Sequence, residues 1–128
     1  MLKELIEKDV IIDYLLQRSN VTKSQLDTIL INSNKISLEE KTLLRDEGKV
    51  SKGSFLRTLS QGEANVQSSF YGVILMQYLG FFDDSFVNLI RIVDLLKNVK
   101  LKNVDRTEIE SILLLIDSSI NKIIKQIK

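Results

Sequence analysis

The chain has 128 residues, 44% of them apolar, and a formal net charge of +1, which is enough apolar material for one domain with its own core and too much for a disordered chain. It contains no Pro, no Cys, no His and only five Gly, so long helices are allowed, while disulfides, thiolate nucleophiles, zinc-thiolate sites and imidazole chemistry are excluded. Carboxylates, lysines and hydroxyls are what remain for catalysis, and no clustered acidic motif is there to hold a metal; a binding protein without cofactor or small-molecule substrate is expected, not an enzyme.

The first residues mix both charge signs from Glu4 onward, unlike a signal or transit peptide, so a cytoplasmic protein is expected. The longest wholly apolar runs, residues 112–116 and 73–76, fall far short of the roughly 20 residues that span a bilayer. Residues 2–18 have the composition of a helix, with Glu4 and Lys8 in the favourable i, i+4 order, yet the apolar runs at 10–12 and 14–16 spread around its circumference and imply burial on more than one side. Thr22 with Gln25 forms a capping-box signature for a short helix over residues 23–31. Ser37 with Glu40 repeats it for a helix through Leu43 and Leu44 that stops near Gly48.

Ser51 is the next N-cap. Phe55, Leu56 and Leu59 mark one helical face, Gln61, Gly62 and Glu63 offer a turn, and Val66, Phe70, Val73, Ile74 and Leu75 continue at helical spacing to Gly80. Two helices are expected here, the alternative being one long helix over residues 52–79 that tolerates its glycines. Asp83 or Asp84 caps a helix over residues 85–97 with a stripe of Phe86, Leu89, Ile90, Val93 and Leu96. Asp105 with Glu108 opens the last helix, where Ile109, Leu113, Ile116, Ile120, Ile123 and Ile127 are spaced as a heptad seam. No repeat of solenoid length is evident. The expected fold is all-α: a compact multi-helix domain over residues 1–128, with a helix-turn-helix-like core at about 21–80 and a C-terminal helical hairpin at about 84–128.

Charge is distributed unevenly. Residues 1–48 carry 7 basic and 9 acidic side chains, residues 49–80 carry 3 and 1, and residues 81–128 carry 8 and 7. The middle segment is nearly free of carboxylates, which a surface that approaches phosphate must exclude. Ser51, Lys52, Ser54, Arg57, Gln61, Asn65, Gln67, Ser68 and Ser69 supply phosphate donors and, in Asn and Gln, side chains able to pair with adenine. The run VSKGSFLRTLSQGEANVQSSFYGVILMQYLG over residues 50–80 resembles the helix-turn-helix core of small archaeal DNA-binding proteins, and the abundance of Ile, Leu, Lys, Asn and Ser is compatible with an AT-rich archaeal genome. That resemblance implies a supporting helix at 54–59, a turn at 61–63 and a recognition helix at 64–75 that faces Asn65, Gln67, Ser68 and Ser69 to the groove; Ser69 departs from the apolar residue usual at its position.

Lys97, Lys100 and Lys102 form a second basic cluster, a secondary set of phosphate contacts expected in the link before the last helix. The heptad seam, Ile109 through Ile127, either packs within the chain or joins two chains, and the width of the apolar surface, with Ile112, Leu114, Leu115 and Ile124 beside it, favours a homodimer. The expectation is a dimeric protein that binds double-stranded DNA, a transcription regulator or architectural factor; the alternative is a helical protein-interaction module or a small subunit of a larger assembly.

Overall fold

The computed structural model describes residues 1–98 and 105–127 in full and the backbone of residues 99–101. Among the described residues it consists of seven helices and no strand: α1 Leu2–Lys8, α2 Val10–Arg18, α3 Lys23–Asn32, α4 Leu38–Lys41, α5 Lys52–Tyr78, α6 Asp84–Leu101 and α7 Arg106–Ile127. The fold class is thus all-α. The chain divides into two units, Met1–Tyr71 and Gly72–Lys128, with the border inside α5.

In the first unit, the single helix expected over residues 2–18 is two. Asp9 leaves the helical region (φ −144°, ψ 97°), and its carboxylate accepts from the Ile11 N–H at 3.0 Å, capping α2. α1 buries Leu2, and α2 buries Ile11 and Leu16. The capping box of α3 is present in full, with Thr22 and Gln25 bonded reciprocally. Ser37 caps α4 as expected, but α4 is a single turn, and residues 42–51 run on as a loop. Asp27 of α3, almost wholly buried, holds that loop in place. One of its oxygens accepts from the Leu2 N–H at 3.0 Å and the other from the Asp46 N–H at 2.9 Å, so α1, α3 and the loop meet on one carboxylate.

α5 runs unbroken through residues 61–63, where a turn was expected. The physical reason is that Gly62 is a packing glycine. It is buried in the helix interior, and a Cβ there would lie 3.1 Å from the Gln25 Cβ and 3.1 Å from the Ile29 Cδ1 of α3. The glycine lets two helices cross closely and has no turn to make. The supporting and recognition helices expected at 54–59 and 64–75 are consequently parts of one helix, and no helix-turn-helix is formed at that place.

In the second unit α6 packs on α7. Asp83 caps α6, its carboxylate accepting from the Ser85 N–H at 2.8 Å and from Gln126 Nε2 at 2.9 Å. The second bond joins the start of α6 to the end of α7, so the pair is an antiparallel hairpin. Phe82 stacks on Phe86 beside that end, ring centroids 5.3 Å apart. Asp105 caps α7 through the Thr107 N–H at 2.7 Å. Leu96, Leu113, Ile116 and Ile123 form the buried apolar centre of the hairpin. Among the described residues no helix is long and apolar enough to cross a membrane.

Candidate nucleic-acid interface

The N-terminal end of α5 is delivered by a loop with its own internal bonds. The carbonyl of the buried Thr42 accepts from the Val50 N–H at 3.1 Å, closing the loop at its base. Gly48 takes φ +104°, a backbone state in which a side chain would be strained, and its N–H donates to the Arg45 carbonyl at 2.9 Å. Arg45 is itself buried, with Nη2 3.5 Å from the Glu47 carboxylate. Ser51 then caps the helix, its hydroxyl oxygen accepting from the Ser54 N–H at 3.0 Å. That bond gives Ser51 a positioning role.

Phe55 is fully buried and sets the rotation of α5. With Phe55 inward, Lys52, Arg57 and Gln61 are exposed, and Ser54 is half-buried. Ser54, Arg57, Gln61 and Ser68 follow one another at spacings of three, four and seven, so they line a single stripe. Lys52 and Gln67 are exposed on the other flank of the same outer surface. From residue 48 to residue 62 the chain has three basic side chains, Lys49, Lys52 and Arg57, and no acidic one. The first-turn N–H groups of a helix add partial positive charge at this end.

Two of the residues expected to read bases are otherwise engaged. The Asn65 amide donates to the Asn20 carbonyl at 3.1 Å and to Gln25 Oε1 at 2.9 Å, and the Asn65 carbonyl accepts from the Asn20 amide at 3.2 Å. Ser69 Oγ lies 3.1 Å from Asn20 Oδ1. Both therefore tie α5 to the link before α3, and the departure from an apolar residue at Ser69 marks this contact. Lys49, Gly53 and Ala64 belong to the surface although the sequence pattern did not single them out. All three are exposed or half-exposed along it, and nothing lies within 4 Å of where a Gly53 Cβ would be. The signal for Lys49 was its place in the acid-free run.

The remaining candidates lie on the second unit. Lys97 is exposed on α6, 3.9 Å from the Asp94 carboxylate; α6 extends past it to Leu101, so it stands on a helix where a link was expected. Lys102 and the Lys100 side chain lie outside the described residues. Of the seam residues, Leu113, Ile116 and Ile123 are buried, Ile109 and Ile127 are half-buried, and Ile120 is 41% exposed. α6 packs on this face within the chain, while Ile120, with Leu114, Leu115 and Ile124 beside the seam, stays exposed.

Compared with known proteins, the chain matches no family model, no curated protein and no solved structure.

Proposed function

We propose that the chain binds double-stranded DNA through the outer surface of the first half of α5. The observation that supports this reading is the exposed, acid-poor surface of Lys49, Lys52, Arg57, Gln61, Gln67 and Ser68, with Glu63 the single carboxylate in that stretch, on a helix held by a bonded loop and a buried phenylalanine. A helix about 10–12 Å across matches a major groove about 12 Å wide, and Gly53, Ala64 and Ser68 keep the outline of this one slim. In this reading Lys49, Lys52 and Arg57 take phosphates, while Gln61 and Gln67 reach base edges. The loop and Phe55 contribute preorganisation, since a helix already fixed in place loses little freedom on docking.

The experiment is a gel shift of mixed-sequence duplex DNA across a salt series. The expected outcome is a retarded complex at low salt that weakens steeply as salt rises, because each neutralised phosphate contributes about 0.9 to the slope of log affinity against log salt. Absence of any complex at low salt, with helical circular dichroism intact, would refute the proposal.

A further inference from the structure

The second half of α5 has an outer surface of a different kind. Phe70, Tyr71 and Tyr78 are 66%, 65% and 86% exposed, and Ile74, Leu75 and Leu79 are each more than half exposed. Phe70 and Ile74, Tyr71 and Leu75, and Ile74 and Tyr78 are each four apart, so these residues share one face of the helix. Val73 and Met76, on the opposite side, are half-buried; the aromatic side is the one turned to solvent. We infer that this face is the contact through which two copies of the chain associate, an inference independent of the nucleic-acid reading.

Area and charge together identify the occupant. Aromatic side chains of roughly 150–250 Å² exposed to this degree present about 400 Å² from three rings alone. That is half of the roughly 800 Å² each partner gives to a standard-size interface, and the aliphatic neighbours supply much of the rest. Residues 64–82 contain no charged side chain. The face has therefore nothing for phosphate to bind, and none of the flanking lysines or arginines with which a surface helix meets lipid headgroups. Its complement is a second uncharged apolar face, and a two-fold axis near Ile74 supplies one from the same chain, because a two-fold contact needs only a self-complementary patch. The Tyr71 and Tyr78 hydroxyls stay at the rim in water.

The test uses the full chain without DNA. Wild type is expected to show the mass of two chains by light scattering, and Ile74→Glu the mass of one, with unchanged circular dichroism because Ile74 is a surface residue. The chain has no cysteine, so Ile74→Cys can form only an intermolecular disulfide; it should cross-link rapidly on oxidation, while Ser118→Cys, exposed on α7, should not. This second variant carries the test if the glutamate variant fails to fold. A one-chain mass for wild type, a dimer that survives Ile74→Glu, or equal cross-linking of the two cysteine variants would overturn the inference. Monomeric wild type that floats with neutral phosphatidylcholine vesicles would also overturn it, in favour of a lipid surface.

Discussion

Gly62 and Gly72 lie on the same helix in opposite surroundings. An alanine gains about 1 kcal/mol over glycine in a helix interior, and at Gly72 nothing lies within 4 Å of the added methyl. Gly72→Ala is expected to stabilise the protein by about 0.5–1 kcal/mol. At Gly62 the methyl meets Gln25 Cβ and Ile29 Cδ1, both at 3.1 Å, and Gln25 is held by its capping box and by Asn65. Overpacking of this kind costs about 1–3 kcal/mol, more than the helix gains, so Gly62→Ala should destabilise. Urea unfolding of the two variants checks the contrast, and equal shifts of the same sign would show that α3 does not press on α5 there. Asn65 offers a second residue-scale test. Its amide bonds are internal, so Asn65→Ala should cost about 1–2 kcal/mol of stability while DNA affinity, measured well below the unfolding temperature, stays unchanged. A loss confined to one preferred DNA site would instead return Asn65 to the role of base reader.

The α6–α7 hairpin is closed at one end by Asp83. Hydrogen bonds from Ser85 and from Gln126 hold its carboxyl below the usual carboxylate range. A carboxyl whose pKa is lowered on folding stabilises the fold above its unfolded pKa, near 3.8, and the contribution fades as pH falls through the lower folded value. Asp83→Asn is therefore expected to be less stable than wild type at neutral pH, with the gap narrowing below about pH 4; a gap that is constant with pH would show that the charge of Asp83 contributes nothing. Asp83, Asp105, Thr22 and Ser37 were all readable as caps, because a cap is settled within three or four residues of itself. The acid-poor surface of α5 was readable for the same reason, being a property of one segment. Gly62, Asn65 and Ser69 were misread because their partners are Gln25, Ile29 and Asn20, some 30 to 50 positions away in the chain. The seam of α7 was read correctly as a packing face, but periodicity does not say whether the facing helix belongs to the same chain.

At the scale of the whole molecule, a net charge of +1 gives little long-range attraction for a polyanion. Binding has to come from where the charges stand, and the acidic excess of residues 1–48 against the basic excess of residues 49–80 confines the favourable field to one segment. The substitutions that remove phosphate-binding side chains should then separate cleanly from those that remove base-reading ones. Replacing Lys52 and Arg57 together by Ala should weaken binding to every duplex sequence and lower the salt slope by about two units, one for each phosphate no longer neutralised. Replacing Gln61 or Gln67 by Ala should leave the slope alone and cost about 1–3 kcal/mol on the preferred site only. Replacing Lys122 and Lys125 of α7 removes as much positive charge as the first pair and serves as the control: if net charge alone governs affinity, the two double variants will weaken binding equally. A slope that falls only for Lys52 and Arg57 places the phosphates on α5, whereas a slope that both pairs leave untouched moves them to Lys97 and the lysines that follow it.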